Sequence, residues 1–188
     1  MASVRDQLLD AAYDAAVSVG WPRVRMADVA AAAGVSRQTL YNEFGSRDGL
    51  AAELAMRELA RFLDGDEAAM DAEDSPTEAA RAATAYVLER ASVDPLVRTM
   101  LIEHGDDGLL PLLTTRAEPV LFTARGRLVD YFLRRWPHLD AADAALAAEV
   151  TTRLAMSYVV LPAEPPAVVA DRVAVLVDRI LAPALRRS

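Results

Sequence analysis

The chain has 188 residues, 53% of them hydrophobic, and a formal net charge of −8 at pH 7. This length and composition allow one large or two small domains with a real core and argue against disorder. The lack of cysteine excludes disulfides, thiolate metal sites and a cysteine nucleophile. The acidic balance argues against a non-specific nucleic-acid binder. We find no signal peptide and no uncharged run of about 20 residues, so we expect a cytoplasmic protein without a membrane span.

The first predicted helix runs from Val4 to Val19, because small and apolar residues recur along it at three- and four-residue steps. Gly20 is expected to end it, since glycine readily adopts the left-handed conformation that closes a helix. Trp21 and Pro22 then begin a short connection.

The segment from Met26 to Leu50 has the pattern helix, glycine-containing turn, helix. Ala27 to Ala33 contains no helix breaker, Gly34 can end that helix, and Ser36 can cap the next one. Apolar residues fall on the face where the two helices would pack: Val29, Ala30, Val35, Leu40 and Phe44. The pattern predicts a helix-turn-helix motif, whose second helix enters the major groove of DNA. An ordinary helical hairpin with a polar outer face is the simpler alternative.

Polar side chains remain on the outer face of this motif, and their chemistry suits DNA. Arginine binds phosphate or guanine, glutamine binds adenine, and threonine contacts phosphate or the thymine methyl group. The first 50 residues hold five arginines and six acidic residues, so we expect local charge rather than net charge to matter. The predicted DNA-binding residues are Arg25, Ser36, Arg37, Gln38, Thr39, Tyr41, Asn42 and Arg47.

A fourth helix is expected to start at Ser46, which is a good cap, with Asp48 in the first turn, where the helix dipole favours an acid. Its predicted buried stripe contains Leu50, Leu54, Leu59, Phe62 and Leu63. The acidic stretch from Asp64 to Ser75 is interpreted as a solvated helix end and loop that marks a domain boundary.

The rest of the chain predicts further helices. Ser75-Pro76-Thr77-Glu78 combines a cap, a first-turn proline and a capping-box glutamate, and Asp94-Pro95 repeats the device. The expected elements are helices over 76–91, 95–104, 119–136, 141–161 and 167–185, with a short apolar turn over 109–113. No strand-like alternation and no internal repeat stands out, so the fold class is predicted to be all-α.

The ordered residues of the N-terminal motif resemble the TetR family of bacterial transcriptional regulators over about the first quarter of the chain. The residues that carry the resemblance are Asp28-Val29-Ala30, Ala33-Gly34-Val35-Ser36, Thr39-Leu40-Tyr41, Phe44 and Ser46-Arg47-Asp48 with Leu50. The resemblance implies an N-terminal three-helix DNA-binding domain, placed here at 1–50, and a helical ligand-binding and dimerisation domain at 51–188. It also implies a phosphate contact by Arg47.

Two long C-terminal helices are predicted to form the homodimer interface, as the resemblance implies. Apolar residues line one side of each helix: Leu146, Val150, Leu154, Tyr158 and Leu161 on the first, and Val168, Val169, Val173, Leu176, Val177, Ile180 and Leu181 on the second. Burial within one subunit is the alternative, and both faces can be used in part. A two-fold dimer is what a palindromic operator needs.

The resemblance further implies a small-molecule site among the C-terminal helices, and isolated polar residues in apolar helices are candidates for it. The candidates are Tyr86, Arg98, Glu103, His104, Tyr131, Thr151, Thr152 and Met156. A half-buried structural role is the simpler interpretation for any single one. Because few charges would line this interior, we expect a hydrophobic or amphipathic effector.

The sequence therefore predicts a ligand-responsive repressor that binds operator DNA as a homodimer, with no cofactor and no metal. A helical interaction module with a vestigial DNA-binding motif is one alternative. An enzyme is a weaker one, because Glu103, His104, Asp106 and Asp107 lack a histidine partner at metal-binding spacing. His104 and Gly105 are more simply explained as a helix C-terminus.

Overall fold

The computed structural model describes residues 3–102 and 108–185. Within these ranges the chain forms α-helices and short 3₁₀ turns and contains no β-strand. The helices are α1 (Val4–Val19), α2 (Met26–Ala32), α3 (Arg37–Phe44), α4 (Arg47–Met70), α5 (Pro76–Val93), α6 (Pro95–Ile102), α7 (Glu118–Arg135), α8 (Ala141–Val160) and α9 (Pro166–Leu185). Short 3₁₀ turns occur at Trp21–Arg23 and Leu110–Leu113. The predicted all-α fold class is confirmed.

Local capping explains where these helices begin and end. The Ser3 hydroxyl accepts the backbone N–H of Asp6 at 3.1 Å, and the Asp6 carboxylate accepts that of Ser3, which completes a capping box. Gly20 ends α1 at φ 82°, in the positive region that glycine tolerates. Asp140 caps α8 by accepting the N–H groups of two residues in its first turn. The predicted start and end of α1 are therefore confirmed.

The chain divides into two compact units, and the division differs from the predicted boundary at residue 50. Unit 1 comprises Met1–Glu58 and Asp94–Arg116, and unit 2 comprises Leu59–Val93 and Ala117–Ser188. The α6 helix therefore belongs to unit 1, where it packs against α1. Fully buried side chains from the first four helices and the Trp21–Arg23 turn form the core of unit 1, and they include Leu8, Trp21, Val29, Leu40, Leu50 and Leu54.

Unit 2 is a bundle in which α5, α7, α8 and α9 pack on one another. Small buried residues let the helices approach closely, and they are Ala79, Ala80 and Ala83 on α5 and Ala144, Ala147 and Ala148 on α8. An aromatic cluster of Tyr131, Phe132 and Trp136 fills the end of α7. Within residues 3–102 and 108–185, no helix is long and apolar enough to cross a membrane.

The stretch from Asp64 to Ser75, interpreted as a solvated helix end and loop, begins inside α4, which continues to Met70, and the interpretation is wrong where it places the buried Asp66 and Met70 in solvent. Met70 is 1% exposed and lies in the core of unit 2. Arg127 of α7 offsets the negative charge of the last turns of α4. Its guanidinium lies 2.8 Å from the Asp64 carboxylate and 2.7 Å from that of Glu67. The connection to α5 is therefore short, from residue 71 to residue 75.

Candidate nucleic-acid interface

The helix-turn-helix is formed by α2, a turn centred on Gly34, and α3. Gly34 has φ 70°, a conformation that side chains other than glycine rarely adopt. The N–H of Val35 bonds to the carbonyl of Ala30 at 3.0 Å and closes the turn. Val29, Ala30 and Leu40 are at most 1% exposed, so the two helices pack through the face that their spacing predicts.

The first turn of α3 is fixed by its cap. The Ser36 hydroxyl accepts the backbone N–H of Thr39 at 3.1 Å, and the two hydroxyl oxygens lie 2.9 Å apart. Ser36 is therefore used to cap the helix, and the half-buried Thr39 hydroxyl is engaged with it. The positive end of the helix dipole coincides with this turn, which favours an anion such as phosphate.

Four of the predicted DNA-binding residues share the exposed surface of α3. Arg37, Gln38, Tyr41 and Asn42 are all exposed, and Tyr41 retains 40% of its surface although it is aromatic. Nε2 of Gln38 donates to Oδ1 of Asn42 at 2.8 Å. The surface combines one cation, two amides and a phenol, which together can contact phosphates and base edges.

The two remaining predicted residues lie at the starts of neighbouring helices. Arg25 is exposed and occupies the N-cap position of α2 without making a side-chain cap. Arg47, in the first turn of α4, is half-buried because its guanidinium donates to the carbonyl of Trp21 and lies 5.2 Å from the indole centroid. Arg47 thus has a structural partner in addition to any contact with DNA.

Arg5 holds α3 within unit 1, a role that the sequence does not indicate. Its guanidinium lies 2.6 Å from the Glu53 carboxylate and 3.6 Å from that of Glu43, and it donates to the Glu43 carbonyl. It also lies 4.8 Å from the ring centroid of Phe44. These partners are far away in sequence, so neither periodicity nor a motif could have identified them. The contacts link α1 to α3 and α4 and restrain the exposed helix.

The candidate effector residues do not all lie in one compact unit. Arg98 is exposed on α6 in unit 1, whereas Tyr86, Tyr131, Thr152 and Met156 lie in unit 2. The predicted residues Glu103 and His104, like Asp106 and Asp107, lie outside the residues that the structure describes.

Two of the tyrosines and one threonine have structural contacts. The hydroxyl of Tyr131 donates to Asp71 at 3.1 Å, and burial together with this bond raises its pKa to about 12. Tyr86 packs against Gly65, where an added Cβ would come within 1.8 Å of its hydroxyl oxygen. The buried Thr151 hydroxyl donates to the carbonyl of Ala147 at 2.8 Å. Thr152 and Met156 are half-buried on α8.

Asp66 is a buried acidic residue that the sequence interpretation placed in solvent. It is 7% exposed, and its Oδ1 atom has no hydrogen-bond partner within the described part of the chain. Burial, with the neighbouring Glu67 carboxylate, raises the pKa of Asp66 to about 7. On a helical wheel Asp66 lies between Leu63 and Met70, both of them buried, and this pattern could have signalled an inward position.

Unit 1 also contains a cavity of about 330 Å³. Its walls combine an indole and aliphatic groups with two charged side chains, and the residues that line it are Trp21, Asp48, Ala51, Gly108, Pro111, Leu112, Thr115 and Arg116. None of the predicted effector residues that the structure describes lines this cavity.

The apolar faces of α8 and α9 divide into an inward and an outward part. Val169, Val173, Val177 and Leu181 are at most 1% exposed and belong to the core of unit 2. Other apolar side chains of these helices keep between 39% and 74% of their surface, and they are Leu146, Leu161, Val168, Val175 and Leu176. Part of the predicted dimer face is therefore buried within one subunit.

Models of known protein families match both the N-terminal and the C-terminal part of the chain. Residues 8–54 match the profile described as bacterial regulatory proteins, tetR family, and residues 75–179 match the C-terminal domain of the bacterial tetracyclin repressor. The chain is 38% identical over 164 residues to the HTH-type transcriptional regulator AlkX of Mycobacterium tuberculosis, covering 87% of this chain and 78% of that protein.

Solved structures agree with these matches. The TetR family repressor AlkX from a Dietzia strain, implicated in biodegradation of n-alkanes, is 32% identical, and 95% of each chain is covered at a TM-score of 0.78. A TetR-family regulator from Pectobacterium atrosepticum covers 96% of this chain and 93% of its own at a TM-score of 0.64, but at 19% identity it supports the fold alone. The chain therefore belongs to the TetR family of bacterial transcriptional regulators.

Proposed function

We propose that this regulator is a repressor that binds a palindromic operator as a homodimer and is released by a hydrophobic or amphipathic small molecule. The observation that carries the DNA part is the exposed surface of α3. Arg37, Gln38, Tyr41 and Asn42 project from a helix whose start is capped by Ser36 and whose end is restrained by Arg5. A preorganised polar surface of this kind is suited to base readout.

The proposed contacts separate into those that position the protein and those that read sequence. Arg25, Arg37 and Arg47 supply cations for phosphates, and the N–H groups at the start of α3 supply a further phosphate site. Ser36 and Thr39 act through this capped turn, and Tyr41 through its phenol. Gln38 carries an amide that can distinguish bases, and the amide of Asn42 is bonded to it.

The second copy of the chain is proposed to cover the outward apolar residues of α8 and α9. Leu146 near the start of α8 is 51% exposed and Leu161 at its end is 74% exposed, and a surface that exposes several large apolar side chains is a candidate for an interface. A two-fold axis through this face places the same residues opposite one another. It also gives two α3 helices the symmetry of a palindrome.

The effector is proposed to be a long apolar molecule, with or without a polar end. The Dietzia relative is implicated in n-alkane biodegradation, and its 32% identity over nearly the full length makes a related effector reasonable for this chain. The α4 helix is continuous across residues 58 and 59, where the two units divide. It therefore offers a route by which an effector can alter the spacing of the α3 helices.

A gel-shift with DNA from upstream of the protein's own gene tests this proposal. We expect the protein to retard this DNA, and n-alkanes or their alcohol and acid derivatives to reverse the shift. Arg37→Ala/Gln38→Ala, which changes only exposed residues, should abolish retardation while leaving the helical circular dichroism unchanged. Failure of the folded protein to bind any upstream DNA would instead favour the interaction-module alternative. The enzyme alternative is set aside, because members of the matched family, including the relative that is 38% identical to this chain, are transcriptional regulators.

A further inference from the structure

The recognition helix α3 carries two side-chain amides that are bonded to each other. Gln38 and Asn42 are four residues apart and exposed, and Nε2 of Gln38 donates to Oδ1 of Asn42 at 2.8 Å. Residues at this spacing lie on one face of a helix. The two amides therefore form a single hydrogen-bonded pair on the exposed surface.

The bond leaves Gln38 with a defined set of groups for a partner. A side-chain amide has two N–H donors and one carbonyl acceptor, and Asn42 occupies one of the donors. One N–H and the Oε1 atom of Gln38 remain. When Asn42 accepts from Nε2, as it does here, this donor and this acceptor are presented in one order, whereas a bond in which Asn42 donates to Oε1 would leave Gln38 with two free N–H groups.

Adenine is the base whose major-groove edge matches one donor and one acceptor. It offers N7 as acceptor and the N6 amino group as donor, whereas guanine offers two acceptors, cytosine a donor, and thymine an acceptor beside a methyl group. Gln38 lies in the first turn of α3, directly after Arg37, the first residue of the helix. Recognition helices contact base edges with their N-terminal residues.

We infer that Gln38 reads an adenine in each operator half-site and that Asn42 is a positioning residue, which holds the Gln38 amide in the orientation that this reading requires. The inference rests on the proposed operator binding and specifies one base of the operator. Without Asn42, the long Gln38 side chain is ordered only when DNA binds, and its amide can turn over and exchange donor for acceptor. Asn42 therefore contributes to specificity without itself reading the adenine.

The test is selection of operators from a random DNA library, followed by measurement of base preference at every position. Gln38→Ala identifies the position that depends on Gln38, where we expect the wild-type protein to prefer adenine by roughly fivefold or more. Asn42→Ala should lower that preference by roughly two- to fivefold, the cost of ordering one long side chain, and leave the preferences at other positions unchanged. The double variant should show the same preference as Gln38→Ala alone.

Two further variants separate positioning from other roles of Asn42. Asn42→Asp keeps an oxygen that accepts from Gln38, so it should retain the adenine preference although its charge weakens binding to all sequences. Gln7→Ala removes an exposed amide from α1 and controls for the truncation itself. A merely structural effect of Asn42 would lower affinity for all sequences and leave the preference intact.

The possible outcomes separate a failure of this inference from a failure of the proposed operator binding. If selection enriches an operator but Asn42→Ala keeps the full adenine preference, or the position read by Gln38 prefers another base, the inference is overturned and operator binding stands. If a folded dimer enriches no sequence at all, operator binding is overturned, and the inference with it.

Discussion

Arg47 lies over the indole of Trp21 and donates to the Trp21 carbonyl, so this side chain stabilises unit 1 in addition to its proposed contact with DNA. Cation–π contacts of this kind contribute about 0.5–2 kcal/mol. A neighbouring exposed arginine, Arg25, has no comparable role in the described structure of unit 1. Comparing substitutions at Arg47 and Arg25 therefore separates an effect on stability from an effect on the proposed phosphate binding.

We predict that Arg47→Ala weakens binding to all DNA sequences alike and also lowers the melting temperature. Arg25→Ala, the matched control, should weaken binding with little change in melting temperature, because exposed substitutions usually change stability by less than about 0.5 kcal/mol. Each loss of a phosphate contact should reduce the slope of log affinity against log salt by about one per subunit. An Arg47→Ala protein with wild-type melting temperature would show that the contact with Trp21 is not stabilising.

Asp66 gives a pH dependence whose sign follows from burial. Its pKa rises from 3.8 in the unfolded chain to about 7 in the folded protein. The folded state therefore binds the extra proton between these values, and the free energy of unfolding falls as pH rises through about 4 to 7. Each pKa unit corresponds to about 1.4 kcal/mol, so the loss is on the order of 4 kcal/mol and is complete above pH 7.

Replacing Asp66 should remove this loss. We predict that Asp66→Asn is more stable than the wild type at pH 8 and gains little at pH 4.5, as measured by denaturant unfolding at fixed protein concentration. Asp130→Asn, the same change on an exposed position of α7, is the control for loss of a carboxylate. Equal stability changes for Asp66→Asn at both pH values would contradict the account of the buried carboxyl.

The α9 helix has one apolar face in the core of unit 2 and further apolar side chains that remain exposed. Val177 is fully buried in unit 2, whereas its neighbour Leu176 is 39% exposed. A charge at Val177 would be placed in the core of one subunit, where an unpaired charge is strongly destabilising. A charge at Leu176 would reach only the proposed interface with the second copy.

We predict that Leu176→Glu gives a folded monomer that fails to bind the operator, and that Val177→Glu unfolds. Light scattering reports the mass, circular dichroism the helical content, and a gel-shift the affinity. A Leu176→Glu protein that remains dimeric with normal affinity would rule out this face as the interface. Retained folding of Val177→Glu would contradict the inward position of that residue.

Most of the element boundaries could be predicted, because the signals that set them are local. Ser36, Ser75 and Asp140 each cap the helix that follows them, and Gly20 ends α1. The end of α4 could not be found in this way. An acidic run normally indicates solvent, and the Arg127 that pairs with it lies some 60 residues later in the chain.

The candidate interface was predictable to a similar degree. The spacing of Ser36, Leu40 and Phe44 placed the outer face of α3, and its polar residues are exposed as expected. The bond between Gln38 and Asn42 and the contacts of Arg5 depend on rotamers and on tertiary packing. The candidate effector residues stay predictions, because a polar residue in an apolar helix is equally compatible with a structural bond, as Tyr131 shows.

The proposed switch requires that effector binding lowers the affinity for the operator and that operator binding lowers the affinity for the effector. Linkage makes the effect reciprocal, and couplings of about 1–3 kcal/mol, roughly 5- to 150-fold, are typical. We predict that an alkane-chain effector binds more weakly to the operator-bound dimer, by the same factor by which it weakens operator binding. Met156→Trp, which enlarges a half-buried side chain on α8, should remove the response but keep DNA binding. Equal effector affinity for free and operator-bound protein would refute the switch.

Two copies of this chain are proposed to bind a two-fold symmetric operator through their α3 helices. Hydroxyl-radical footprinting of the DNA upstream of the gene tests it most directly, with the mass of the complex measured on the same fragment. We predict one dimer on two protected half-sites of inverted sequence, with centres one helical turn, about 34–36 Å, or a multiple of it apart. Protection of a single unrepeated site, or by one copy of the chain, would contradict the account.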